Sequence, residues 1–178
     1  MRNVVLIGFM GTGKTAVGKR LARLLGWEFI DTDAEIERLT GKSIARLFTE
    51  DGEIRFRSEE NLLCRRLAGR ERLVIATGGG MVLNPENVAL LGQNGVFIKL
   101  YADPEVIISR LKGKRRERPL IGKGDLRERV LTLLKEREGA YDIAEFAVDT
   151  GKQSPEESAQ IIYQYLKEKS YLDEDGQG

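Results

Sequence analysis

The sequence predicts an α/β fold in which a parallel sheet of five strands is covered by helices on both faces. Three observations lead there. Short β-rich runs alternate with longer segments of helical period. The first run opens directly into a glycine-rich loop and then an amphipathic stretch, giving strand, loop, helix. The 178 residues, 41% of them hydrophobic, suffice for one good core and leave little room for a second full domain.

The candidate strands are residues 4–7, 28–30, 73–76, 96–100 and 146–148. After the first, Val17, Leu21, Leu24 and Leu25 recur at helical spacing while Lys19, Arg20 and Arg23 point away. Asn84-Pro85, Asp103-Pro104 and Ser154-Pro155 mark further helix starts, each a polar cap followed by proline where a missing N–H costs nothing. Trp27 is expected in the core at the start of the second strand, and Cys64, near Leu63 and Leu67, reads as a small buried apolar residue. The domain reading is one unit over residues 1–171 and a frayed acidic, glycine-rich tail over 172–178.

Charge narrows the chemistry. With 29 Lys+Arg against 28 Asp+Glu, the chain as a whole has no electrostatic footprint for nucleic acid or an anionic membrane. No apolar run approaches the roughly 20 residues that cross a bilayer, and the start carries no leader pattern. One cysteine forms no internal disulfide, which suits a reducing, cytoplasmic setting. Histidine is absent, so carboxylates, lysine and arginine must carry any acid-base or metal chemistry.

Gly8-Phe9-Met10-Gly11-Thr12-Gly13-Lys14-Thr15 fits the P-loop pattern G-x-x-x-x-G-K-[ST], and it lies between a strand and a helix as that pattern requires. Backbone N–H groups of Gly11, Thr12, Gly13 and on to Ala16 converge on phosphate oxygens there, aided by the helix N-terminus. Lys14 reaches the β- and γ-phosphates and the Thr15 hydroxyl ligates Mg²⁺. Asp31-Thr32-Asp33 follows the second strand at the ligand-binding edge. An extended Asp-Thr-Asp points its carboxylates the same way, one toward the metal shell and one toward a substrate hydroxyl; the alternative is that Asp31 or Asp33 caps a helix beginning near Ala34. Gly78-Gly79-Gly80 ends the third strand, either opening the backbone to substrate or forming a flexible turn. A guanine-reading Asn-Lys-x-Asp is missing, which disfavours a signalling GTPase and favours a small-molecule kinase.

These elements, with Phe56-Arg57-Ser58-Glu59-Glu60, Arg118-Pro119-Leu120 and Arg137, stand in the order and spacing of shikimate kinases, and the chain resembles that family over residues 4–154. The resemblance implies a three-layer P-loop NTPase of the nucleoside-monophosphate-kinase type, with a substrate-binding subregion over 34–63 and a lid over 112–124. It implies transfer of the γ-phosphoryl group of ATP to shikimate, with Mg²⁺, by a monomer. Arg57 and Arg137 would hold the substrate carboxylate through bidentate hydrogen bonds. Gly78, Gly79 and Gly80 would face the substrate, Asp33 would accept from the attacking hydroxyl, and Asp31 would help hold the metal through water. Arg118, in an unusually basic segment with Lys112, Lys114, Arg115 and Arg116, would stabilise charge on the transferring group. Arg110 and Gln153 would border the adenine. Plainer readings stand beside these: Arg57 paired with Glu60 on a surface helix, Arg137 on a solvated charged face, the basic segment as an ordinary solvated loop, and Ser154 as a helix cap. A gluconate kinase and a non-catalytic sensor of shikimate or quinate are the rival functions.

Overall fold

The computed structural model describes residues 2–112, 119–121 and 124–172. Its elements run β1 (Asn3–Ile7), α1 (Lys14–Leu25), β2 (Glu28–Asp31), α2 (Thr32–Thr40), α3 (Ile44–Glu50), α4 (Gly52–Ala68), β3 (Leu73–Ala76), α5 (Pro85–Gly92), β4 (Gly95–Tyr101), α6 (Pro104–Leu111), α7 (Leu126–Glu136), β5 (Phe146–Asp149) and α8 (Pro155–Glu168). The five strands form one parallel sheet in the order β2-β3-β1-β4-β5. All five expected strands are present, each within a residue of its expected ends.

The inner strands β1, β3 and β4 are buried on both faces, which is why they read as nearly continuous apolar runs, while the edge strands β2 and β5 are partly exposed. Side chains alternate across it with period two. Val4 and Leu6 of β1 pack with Val17 and Leu21 of α1 and with Ala159, Ile162 and Leu166 of α8. Val5 and Ile7 face the other way, onto Phe56, Leu63, Cys64 and Leu67 of α4 and onto residues of α5, α6 and α7. Helices α1 and α8 thus form one outer layer and α4 to α7 the other.

Local chemistry sets the helix ends. Asn84, Asp103 and Ser154 are the N-caps of α5, α6 and α8, each followed by proline. Ser154 completes a reciprocal capping box with Glu157, at 3.1 and 2.7 Å. Two apolar expectations fail. Leu24 is 47% exposed, because the buried face of α1 runs through Val17, Gly18, Leu21 and Ala22 instead. Trp27 is only half-buried, at the sheet's edge where β2 begins.

Register brings the C-terminal ends of β2, β3 and β1 level: Asp31 pairs with Ala76, and Ala76 with Leu6. Because β2 and β3 lie on one side of β1 while β4 and β5 lie on the other, a crevice opens where β1 ends. Among the described residues no helix is long and apolar enough to cross a membrane.

Gly18 shows how tightly α1 is seated. A Cβ there would lie 2.5 Å from Phe29 and 3.2 Å from Leu6. Gly18→Ala should therefore destabilise the protein by about 1–2 kcal/mol, the helix-propensity gain being outweighed by overpacking. Urea unfolding monitored by circular dichroism checks the sign.

Candidate active site

The loop between β1 and α1 curls because Gly8 has φ +143° and carries no Cβ; one placed there would lie 2.2 Å from the Leu100 carbonyl oxygen. Inside the curl, the buried Lys14 ammonium donates to the Gly8 and Phe9 carbonyls at 2.7 and 2.8 Å. Thr12 is buried and its hydroxyl donates to Phe9 O at 2.7 Å, so its side chain braces the loop from beneath. A cleft of about 790 Å³ runs past the loop, lined by Gly11, Gly13, Lys14, Thr15 and Ala16 and, opposite them, by Asp31, Asp33, Gly78 and Gly79. Arg110 and Gln153 line its far end. Arg110 donates to Gly11 O at 3.1 Å and to Thr150 O at 2.5 Å, and Thr150 donates to Thr12 O at 2.7 Å, fastening the loop to the turn after β5.

Asp31-Thr32-Asp33 is not extended. Asp31 ends β2 and caps α2, its Oδ1 accepting from Ala34 N at 3.2 Å, while Thr32 and Asp33 already lie in the first helical turn. The helix starts two residues before the expected Ala34, because an aspartate with extended backbone is a strong N-cap. The capping reading of Asp31 holds, and its second oxygen, Oδ2, accepts from the Thr15 hydroxyl at 2.6 Å. Fully buried, Thr32 accepts from Gly78 N at 2.9 Å and ties this corner to the glycine segment.

A smaller cavity of about 50 Å³ opens beside the cleft and shares Met10, Asp33, Ile44, Gly78 and Gly79 with it. Arg57 of α4 and Arg137, the C-cap of α7, converge there. Each glycine of the triplet stands against one functional side chain. A Cβ on Gly78 would lie 2.8 Å from Asp33 Oδ1, on Gly79 3.2 Å from Arg137 Nη1, and on Gly80 2.7 Å from the Arg57 guanidinium. The triplet does enter a turn, with Met81 N donating to Gly78 O at 3.1 Å, but none of the three has positive φ, so it is space and not backbone angle that calls for glycine.

The plainer readings of the two arginines divide. Arg57 does pair with Glu60, at 2.7 Å, but Glu60 is 1% exposed and the pair faces the cavity rather than solvent. Arg137 is 5% exposed, so a solvated charged face is excluded. Its Nη1 is buried without a hydrogen-bond partner, and its guanidinium stands 5.5 Å from the Phe9 ring centre.

These two adjoining spaces suit two substrates, one phosphate-bearing and one small anion. A family model described as shikimate kinase matches residues 10–167. The shikimate kinase of Pelotomaculum thermopropionicum is 64% identical over 97% of this chain and all of its own length. That of Desulforudis audaxviator is 61% identical over 97% of this chain and 90% of its own. The chain belongs to the shikimate kinase family. A solved shikimate kinase from Acinetobacter baumannii, in complex with shikimate, superposes with TM-score 0.90 at 37% identity, covering 95% of this chain and 94% of that one. The fold is the P-loop α/β/α fold of the nucleoside-monophosphate-kinase type.

Of the residues expected in a shikimate kinase site, the structure gathers Gly11, Gly13, Lys14, Thr15, Ala16, Asp31, Asp33, Arg57, Gly78, Gly79, Gly80, Arg110, Arg137 and Gln153 around these two spaces, with Thr12 buried behind them. Arg118 and its basic neighbours Lys114, Arg115 and Arg116 lie outside the described residues, as do 173–178 of the expected tail. Sequence reasoning gives no role to Thr32, Tyr141 and Thr150, whose partners are set by tertiary packing. Glu60, three residues from Arg57 in the Phe-Arg-Ser-Glu-Glu motif, enters it only as the partner of Arg57 on a surface helix.

Glu60 makes the site pH-sensitive. Burial pushes its carboxyl up to about 7, outweighing the attraction of Arg57. Between the ordinary value of 4.5 and about 7, the native state holds a proton that the unfolded chain has released, so stability falls as pH rises through that window. Glu60→Gln should flatten this dependence, removing up to about 3 kcal/mol of the difference between the two ends. Urea midpoints at about pH 5 and pH 8 measure it; equal slopes in both proteins would assign the titration elsewhere.

Proposed function

We propose that this chain transfers the γ-phosphoryl group of ATP to the 3-hydroxyl of shikimate, giving shikimate 3-phosphate and ADP, on the route to chorismate and aromatic amino acids. One observation carries the reading: the phosphate loop and a cavity with two converging arginines meet at Asp33, beside Gly78. A hydroxyl on a ring whose carboxylate is held by Arg57 and Arg137 is thereby aimed at a phosphate held by the loop.

In this reading the N–H groups from Gly11 to Ala16 hold the β-phosphate, and Lys14 leaves its carbonyl partners to follow the γ-phosphate. The oxygen–phosphorus bond to shikimate forms as the bond to ADP breaks, and the hydroxyl proton passes to the Asp33 carboxylate. Because such transition states are loose, orientation by Asp33 contributes more than early proton removal. Arg110 and Gln153 border the adenine, and Arg118 offsets charge on the transferring group.

The metal is Mg²⁺. Thr15 and Asp31 would hold it, and their oxygens at 2.6 Å fit an ion that takes one or two protein ligands and completes its shell with phosphates and water. Among the described residues no cluster of three or more acidic or thiol ligands exists for an all-protein cage. When bound, the ion neutralises charge on the β- and γ-phosphates. The proposal extends to a cytoplasmic monomer, since one chain supplies every residue invoked; light scattering tests the latter.

ADP release measured with shikimate, quinate and gluconate should show turnover with shikimate alone; equal rates with gluconate would overturn the substrate. Lys14→Ala should lower kcat on the order of a thousandfold. Arg137→Ala should chiefly raise the shikimate KM, by roughly thirtyfold or more, as loss of a buried charged partner does.

A further inference from the structure

Tyr141 lies outside both spaces, yet its hydroxyl reaches the segment that separates them. It donates to the Gly79 carbonyl at 2.7 Å, across 62 residues of sequence. The ring is 7% exposed and packed in the core cluster on the α4 side of the sheet, so the hydroxyl has a fixed position. Burial also raises the phenol above its ordinary value, outweighing the opposing pull of the Arg137 guanidinium that neighbours its oxygen, which keeps it a donor at neutral pH.

The same short stretch carries Arg137. After α7 the chain makes successive turns, Ala140 N to Arg137 O at 3.1 Å, Asp142 N to Gly139 O at 3.1 Å, and Ala144 N to Tyr141 O at 3.3 Å. Arg137 and Tyr141 therefore reach Gly79 together. Arg137 Nη1 stands against Gly79 from one side, 3.2 Å from where a Cβ would be, while the Met10 backbone nitrogen lies 3.2 Å from the same point. Without the Tyr141 donor, the partly buried Gly79 carbonyl would have an unmade hydrogen bond on the same residue against which Arg137 Nη1 stands. Such a pair closes on itself, because each group gains the partner it lacks.

We propose that Tyr141 is a positioning residue for shikimate binding: by occupying the Gly79 carbonyl it keeps Arg137 Nη1 available for the substrate carboxylate. The inference rests on the reading of Arg137 as a carboxylate holder. Tyr141 itself touches neither substrate nor nucleotide. Its contribution is to remove a competing acceptor and to hold Gly79 at the height where the guanidinium, flanked by the Phe9 ring, faces the cavity.

The test is a cycle of Tyr141→Phe, Arg137→Ala and the double variant, with kinetics for both substrates and shikimate binding by calorimetry. Tyr141→Phe keeps the ring and removes one hydroxyl. It should raise the shikimate KM and Kd roughly two- to tenfold, the span of one hydrogen bond, with kcat and the ATP KM nearly unchanged. In the Arg137→Ala background the same change should alter kcat/KM for shikimate by less than about twofold, since two residues acting through one interaction are not additive. An unchanged shikimate KM in Tyr141→Phe, an equal rise in the ATP KM, or the same fold-loss in both backgrounds would each overturn the role of Tyr141. If Arg137→Ala alone leaves shikimate binding intact, the carboxylate reading fails first and the proposal falls with it.

Discussion

Three missing side chains at the end of β3 govern this site. Gly78, Gly79 and Gly80 lie against Asp33, Arg137 and Arg57 in turn, at separations where a Cβ would stand 2.7 to 3.2 Å from a charged atom. Their backbone angles are open to other residues, so space is the constraint. The sheet order makes that space useful. With β3 between β2 and β1, the triplet emerges between the Asp31 corner and the phosphate loop, and α4 and α7 bring their arginines to its open side.

Closing up the backbone this way concentrates charge in a poorly hydrated pocket. Arg137 is almost wholly buried with Nη1 unsatisfied, and Arg57 divides its guanidinium between the exposed Glu53 and the buried Glu60, which is itself reluctant to ionise. Burying cations costs free energy that pairing returns only in part. Such an arrangement does not add to stability; in the proposed function the substrate anion would compensate it. That is how a binding site appears in a fold otherwise built for consistency between local and global preferences. The opposite strategy operates at the phosphate loop, where Lys14 rests on two carbonyls of its own loop and Thr15 on Asp31. There the polar groups have partners within the protein, which in the proposed function they would exchange for phosphate and metal.

The sequence disclosed these two regions unequally, for physical reasons. Strands buried on both faces leave short apolar runs, and Pro after Asn, Asp or Ser marks a helix start, so the sheet and the capped helices were readable. The phosphate loop was readable because its chemistry is local, with glycines, Lys14 and Thr15 in one stretch. The orientation of Asp31 and Asp33 was not, since extended and helical readings of Asp-Thr-Asp differ only in whether Asp31 acts as a cap. Arg137 sits among Lys135, Glu136 and Glu138, and only the end of α7 just before it turns it inward. Thr32 and Tyr141 satisfy backbone groups 46 and 62 residues away, contacts with no local signature. The basic segment around Arg118 drew attention by its composition and by the Arg-Pro-Leu motif that ends it, and residues 113–118 fall outside the described residues.

The long-range bonds explain how loops can hold a reacting geometry. At this edge of the sheet the ladder has ended, and side chains bonded to backbone take over: Thr32 to Gly78 N, Thr77 to Leu6 O, Tyr141 to Gly79 O, Thr150 to Thr12 O and Arg110 to Gly11 O. Each ties a loop residue to another part of the chain and satisfies a peptide group that burial would otherwise penalise. A misplacement of about 1 Å between hydroxyl and phosphorus is costly in rate, so the loops must be fixed relative to one another as well as to the strands. Gly79 is where that requirement is sharpest. It adjoins Arg137 on one side and Met10 of the phosphate loop on the other, so a shift there would move Arg137, the proposed carboxylate holder, relative to that loop. Holding one carbonyl in place therefore bears on both halves of the reaction at once.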